Sequence, residues 1–374
     1  MPKIRIVEKD LTQNPSPANY EDVVFLTDSK ATDTPTFVEA GFTVEYDNKE
    51  VINQILALGG KVLVAKSYAG AKDYLKDRNQ FNVKFLYVKQ GGADTVKAKT
   101  AEKNEASPEE VLHLKSALEI AAARRDCVVI YEKSEDTFKS EETDLFKDFK
   151  SNETDEFLKG ETGTYGKYCL AFFAEGLKEG ETTLGAGMAY ILAFFNSKRA
   201  GNAEWLAVAG AKRGVIPGEN LTCDPISESQ IDAMQPRVST EKAHAINPIV
   251  NVSPWGVRIW GNRTAEEIGA EGLLASHFAN IRILMCDIKK RLYLAARTYQ
   301  FEQDSDILWV NFTSKVNELL EEMKQSYGIA GYKWIREETK ERAKLKAILR
   351  IIPIEAVEDF DLTVDLTDSL EVAE

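Results

Sequence analysis

Histidine is scarce in this chain, three in 374 residues, and none of the three stands in a catalytic or metal-binding spacing. His113, His244 and His277 have no HExxH pattern and no serine or cysteine motif beside them. A fold can unite distant residues into a triad, but satisfied structural histidines are the simpler reading. Cysteine is scarce as well. Cys127, Cys169, Cys223 and Cys286 lie far apart without CxxC or Cys/His ligand spacing, which argues against both a zinc site and a disulfide framework. They read as reduced core residues. No apolar run approaches the roughly 18 residues that a membrane helix needs, and the opening MPKIRIVEKDLT lacks the apolar region of a secretory signal. No membrane insertion is expected, and the protein is expected to stay where it is made.

Positive charge is in deficit: 47 lysines and arginines face 60 aspartates and glutamates, a net charge of −13. A nucleic-acid binder needs a cationic face to release counterions, so direct nucleic-acid binding is not expected. Phosphate-cradling loops are missing too. There is no GxxxxGK[ST] sequence. Gly180, Gly185 and Gly187 approach a dinucleotide fingerprint, but no strand leads into them and the spacing is wrong. Gly91 and Gly92 follow a predicted strand yet lead into a lysine-rich segment without a clear helix start. Glu302, Asp304 and Asp306 cluster in a way that suits a cation or acid–base pair, although helix capping and turn formation explain them as well. No catalytic, cofactor-binding or metal-binding residue is assigned, and the expectation is a protein that is not an enzyme.

What the chain does have is enough apolar content, 44%, for two ordinary globular domains. Lys3 to Val7 reads as a short strand, and Gln13 to Asn19 as a Pro/Asn/Ser-rich linker. From Val23 strands and helices alternate: VVFL (Val23 to Leu26), a helix over Lys49 to Leu58, KVLVAK (Lys61 to Lys66), a helix near Ala71 to Lys76, and a strand over Val83 to Val88. Ser107, Pro108 and Glu110 form a helix start with a capping box, the helix runs to Arg124, and it delivers the strand DCVVIYE. The acidic stretch Glu132 to Glu161 reads as a solvated amphipathic helix or surface loop.

KYCLAFFAE (Lys167 to Glu175) reads as a strand, Met188 to Arg199 as a helix, and the glycine-punctuated Gly201 to Gly218 as loop and turn. Further on, long helices are predicted over Glu271 to Arg297 and Leu308 to Tyr327, with a strand at Tyr299 to Glu302 between them. From Lys344 the sequence alternates. Lys344, Lys346, Ile348 and Arg350 share one parity, while Leu345, Ala347, Leu349 and Ile351 share the other, the signature of a strand with one apolar face. Pro353 interrupts it, and an acidic strand, Phe360 to Leu366, resumes with Asp361 and Asp365.

Several passages then point to a family. INPIVNVSPWGVRIWGNRT (Ile246 to Thr264) resembles the signature of contractile phage tail sheath proteins: an Asn-Pro segment (Asn247, Pro248), a turn glycine (Gly256), a strand, and Trp-Gly-x-Arg-Thr at Trp260, Gly261, Arg263 and Thr264. Phe278 to Trp309 is similar to the family's helix, its Phe-Glu strand end (Phe301, Glu302) and the following Trp309. SYGIAGYKW, with Gly328 and Gly331, resembles the next turn, and Glu204 to Ile216 is similar to a Trp-x-x-x-Ala-Gly loop. The family's Pro-Gly-Val-Tyr opening is absent, and Gln303-Asp304-Ser305 stands where Pro-Asn-Asp is usual.

The resemblance implies a mixed α/β and α+β tail-sheath fold: an N-terminal arm (1–20), an inserted outer α/β domain (21–240), an inner sheath domain (241–352) and a C-terminal strand arm (353–374). It implies self-association as stacked hexameric rings, a tail tube inside them, and baseplate and tail terminator proteins at the ends. The place would be a virion tail assembled in the host bacterial cytoplasm. Sheaths of bacterial injection or secretion devices share the pattern, and an α/β nucleotide- or ligand-binding enzyme is the reading from another class. Family members exchange strands between subunits, which nominates Lys3, Ile4, Arg5, Ile6 and Val7 in one arm, Phe360, Asp361, Leu362, Val364 and Asp365 in the other, and Lys344, Lys346 and Arg350 on the basic strand that would receive the acidic tail.

Overall fold

Short apolar runs without polar alternation become strands buried on both faces, and such runs set the architecture here. The computed structural model describes residues 22–77, 82–89, 108–133, 165–238, 243–338 and 345–358. The nominated arm residues Lys3, Ile4, Arg5, Ile6, Val7, Phe360, Asp361, Leu362, Val364 and Asp365, together with Lys344 and Ser107, lie outside them. The runs read as strands are β1 (Val23–Thr27), β3 (Lys61–Ala65), β4 (Val83–Lys89), β5 (Val128–Glu132) and β6 (Cys169–Phe173); a short β2 (Thr36–Val38) escaped the sequence reading. Beyond a small three-stranded sheet, β7 (Lys178–Glu179), β8 (Thr182–Thr183) and β9 (Leu221–Thr222), come β10 (Asn247–Val252) and β11 (Gly256–Ile259). The main sheet has the order β11-β10-β6-β5-β4-β1-β3-β2. Its neighbours pair in parallel from β3 through β10, with antiparallel β2 and β11 at the edges.

Side-chain alternation sorts each strand between two helical layers. Val24, Leu26, Phe85, Ile130 and Phe172 meet α1 (Lys49–Ala57) and α4 (Ala186–Arg199) on one face. Val23, Phe25, Leu86 and Val129 meet α2 (Tyr68–Lys76) and α3 (Pro108–Arg124) on the other. α4 is apolar around its circumference because it is enclosed; Phe194 and Phe195 are both almost fully buried, and each such side chain contributes about 1.5–3 kcal/mol. Ser67 caps α2 by accepting from the Gly70 N–H at 3.2 Å. The glycine-rich stretch after α4 is loop and turn apart from a one-turn helix, α5 (Gly210–Arg213), and α6 (Glu228–Met234) follows. Because β10 is bonded to β6, residues on both sides of position 241 share one sheet.

The remaining module packs on its own small core. α7 (Ala279–Thr298) and α8 (Asp306–Gln325) enclose Leu284, Ile288, Val316, Leu320 and Met323 together with Trp205. The antiparallel pair β12 (Ile329–Glu337) and β13 (Lys346–Pro353) lays Tyr332, Trp334, Leu349 and Ile351 against it. Four expectations change here. The first long helix begins at Ala279 rather than Glu271, because the Thr264 hydroxyl bonds Ser276 O at 3.0 Å and the Leu274 N–H bonds His277 Nδ1 at 2.8 Å, which holds the preceding chain in turns. Tyr299 to Glu302 is a turn, not a strand, since it links two helices that pack together. SYGIAGYKW is not a turn beyond Gly328 but the start of β12, and β13 continues through Pro353.

Candidate assembly site

The Trp-Gly-x-Arg-Thr motif folds into a junction between sheet and helical module. Asn247, fully buried on β10, brackets Arg263: its Oδ1 accepts from the Arg263 N–H at 2.7 Å, and its Nδ2 donates to Arg263 O at 2.8 Å and to Ala171 O at 3.0 Å. Gly261 is required there, since a Cβ would lie 2.6 Å from Asn247 Oδ1 and 2.2 Å from Gln235 Nε2. The Trp260 N–H donates to Pro248 O at 2.9 Å, and the Thr264 N–H donates to His277 O at 2.7 Å. Asn262 and Asn280 then lock the start of α7 to the motif: Asn262 Nδ2 donates to Asn280 Oδ1 at 2.8 Å, and the Asn280 N–H donates back to Asn262 Oδ1 at 3.2 Å. Sequence motifs spread over many positions therefore meet in one hydrogen-bonded knot.

A second tie is ionic. Lys84 on β4 reaches Asp22 at 2.6 Å and also bonds Glu204; Lys198 at the end of α4 bonds the same two carboxylates. Burial alone would raise the Asp22 carboxyl, but Lys84 and Lys198 outweigh it and hold it well below the usual carboxylate range. Burial raises the Asp287 carboxyl on α7, against the pull of Lys84 and Arg291. Lys290 donates to Val83 O at 2.9 Å. The cavity among Asp22, Lys84, Asp126, Asp287 and Lys290 is about 10 Å³, room for about one water. Lys198–Glu204 and Asp287–Arg291 are local pairs, but the ties of Lys84 to Asp22 and Glu204 and of Lys198 to Asp22 unite residues far apart in the chain and were not visible as a sequence motif.

The hairpin carries the surface nominated for assembly. Alternating exposure along β13 follows the predicted parity: Lys346, Ile348, Arg350 and Ile352 face out, while Ala347, Leu349 and Ile351 are half-buried. β12 and β13 form a sheet of two strands, so among the described residues each has an outer edge without a strand partner. On the outward face Lys333 stands directly opposite Arg350, and Glu337 opposite Lys346, with a 2.7 Å ion pair between the latter two. Lys333 was missed by the sequence reading, although the alternation of YKWIRE was there to find it.

The other family-motif residues have distinct places. Gly256 turns β10 into β11 with φ +78°. Phe301 is 98% exposed and has φ +72°, an uncommon conformation for a bulky residue; Glu302 beside it is exposed. Trp309 packs edge-on to Trp334, with centroids 5.8 Å apart. A Cβ on Gly328 would lie 2.8 Å from the Trp205 ring, whereas Gly331, in β12, has open space. Asp304 and Asp306 pair with Arg336 at 3.5 and 2.8 Å, and Ser305 caps α8. His244 Nδ1 bonds Ala265 O at 2.9 Å, and His277 Nε2 bonds Glu267 O at 3.2 Å. The glycines Gly185 and Gly187 enclose a carboxylate of the chain itself: Glu132 Oε2 accepts from the Gly187 N–H at 3.1 Å and the Tyr87 hydroxyl at 2.8 Å.

Neither a protein-family model nor a curated protein sequence matches the chain. Solved structures do. A chain of the anti-feeding prophage (AFP) baseplate aligns over 98% of this chain and 99% of its own, with a TM-score of 0.63 and 11% identity. A chain of the PVC sheath complex of an extracellular contractile injection system, in the contracted state, aligns over 94% and 92%, with a TM-score of 0.65 and 15% identity. A chain of the AFP baseplate in the contracted state aligns over 93% of both, with a TM-score of 0.63 and 16% identity. The likeness runs through nearly the whole length of each chain, as the sequence resemblance implied: this chain has the fold of contractile sheath structures.

Proposed function

We propose that the chain is a structural subunit of a contractile tail sheath, one that polymerises as hexameric rings around a tube and contracts to drive that tube through a cell envelope. The observation that carries this reading is the β12–β13 pair, whose two outer backbone edges have no strand partner among the described residues. Unpaired N–H and C=O groups in a row are a template for another strand. Its outward face places Lys333 across from Arg350, a like-charge pair that is unfavourable alone and is relieved by an incoming carboxylate. Asp361 and Asp365 of the acidic tail supply that charge from a neighbouring copy, and residues 1–20 supply a second strand. Tube, baseplate and terminator partners are part of the same reading, whereas the domain division at 21–240 and 241–352 is not, because β10 and β11 belong to the main sheet.

An injection device is favoured over an infectious virion, because the aligned structures are of an injection system and a prophage. Nucleotide binding is disfavoured by Glu132 filling the start of α4. Negative-stain electron microscopy of the concentrated protein, with and without residues 1–18, tests the proposal. Hollow tubes or stacked rings that vanish on deletion support it. Small monodisperse particles that stay so even when tube protein is added as template would overturn it.

A further inference from the structure

The arginine of the Trp-Gly-x-Arg-Thr motif has a partner that the motif does not announce. Arg263 is 1% exposed, its Cζ lies 5.0 Å from the centroid of the Phe278 ring, and its Nε lies 3.0 Å from both carboxylate oxygens of Glu358. Nη2 bonds Glu358 Oε2 as well, so the contact is the fork-shaped one that fixes direction as well as distance. Arg237 approaches the same oxygen at 4.0 Å. Glu358 follows the end of β13 at Pro353 and is the last described residue before the acidic tail. Its arginine cannot follow a moving chain, because Asn247 bonds both main-chain groups of Arg263.

Stability alone is a poor reason for this arrangement. Burying two charges costs about as much as their attraction returns, and apolar replacements of buried pairs are often neutral or stabilising. Nη1 of Arg263 is also buried without a partner among the described residues, which adds cost. What an immobile bidentate contact supplies is position. The opposite end repeats the device, since Asp22, the first described residue, is gripped by Lys84 and Lys198.

We propose that Arg263 and Glu358 form a root clamp that fixes where the C-terminal segment leaves the body, and so aims it at the hairpin edge of a neighbouring copy. Arg263 is then a positioning residue for assembly. The aiming rests on the strand-exchange reading above, while the clamping does not. The test uses the full chain with Cys223→Ser and nitroxide labels at Val44→Cys and Val357→Cys, both exposed in the parent. A narrow distance distribution is expected in the parent, and a broadened one in Glu358→Ala and Glu358→Gln. Removing Glu358 strands the buried Arg263 guanidinium, so the melting temperature should fall by several degrees in both variants, the distances being read well below the transition, and the concentration needed for assembly should rise about tenfold, equivalent to ~1.4 kcal/mol. An unchanged distribution overturns the clamp, and a broadened distribution with unchanged assembly overturns its role in aiming. If the parent forms no assembly even with tube protein added as template, the sheath reading fails, and the label distances still decide the clamp.

Discussion

The indole Nε1 of Trp205 donates to the carbonyl oxygen of Ser326 at 3.1 Å, joining the loop after α4 to the end of α8. Gly328 packs flat on the same ring; a Cβ there would lie 2.8 Å from Cδ1 and Nε1. Gly328→Ala must therefore displace an indole already fixed by a hydrogen bond, at a cost of about 1–3 kcal/mol. A melting temperature several degrees below the parent is expected by calorimetry. An unchanged value would mean that the ring moves freely.

Asn247 satisfies three main-chain groups at once, two on Arg263 and one on Ala171. Asn247→Leu keeps the branched heavy-atom outline and strands all three in a dry environment. Each orphaned group costs about 1–3 kcal/mol, so urea denaturation should show a loss of several kcal/mol with the slope of the transition retained. A loss below ~1 kcal/mol would show that the knot is not cooperative.

Acid should act through Asp22. Its carboxyl lies well below the usual range because Lys84 and Lys198 outweigh burial. A group depressed on folding contributes stability above its unfolded value of about 3.9, and that contribution fades as pH falls from there toward the folded value. Asp22→Asn should therefore cost about 3 kcal/mol at pH 7, the scale for breaking a buried pair. The gap to the parent should narrow below pH 4. A gap independent of pH between 7 and 2 would contradict the assignment.

Reversing Lys344, Lys346 and Arg350 to glutamate should leave a folded monomer that no longer polymerises. Lys346 gives up an ion pair with Glu337 in which its side chain is 59% exposed, and such surface pairs are worth about 0–1 kcal/mol. Circular dichroism of the monomer and sedimentation of the polymer separate the two effects. Normal polymerisation by the triple variant would remove the basic strand from the assembly mechanism.

The parallel core was legible because strands covered on both faces are written as unbroken apolar runs, as in Val23–Thr27 and Cys169–Phe173. The outward and inward parity of β13 was legible from Lys346 to Ile351 for the opposite reason, a half-covered strand. β12 was hidden by the glycines at 328 and 331, which read as turn signals although one serves a ring contact and the other has open space. Thr264 and His277 drew apolar, helix-like sequence into turns through bonds that periodicity does not report. Lys84 and Glu358 were invisible as site residues, because their meaning lies in partners about a hundred positions away.

Under the strand-exchange reading, the alternation along β13 also limits how copies can move past one another. A strand added to its edge that slips by one residue turns every side chain to the wrong face, so only slips of two residues preserve both the apolar contacts and the facing of carboxylate to cation. Each such slip is about 6.8 Å at the usual rise of an antiparallel strand. Displacement along this edge is therefore counted in whole steps, and a lattice built on it resists gradual creep while remaining able to jump.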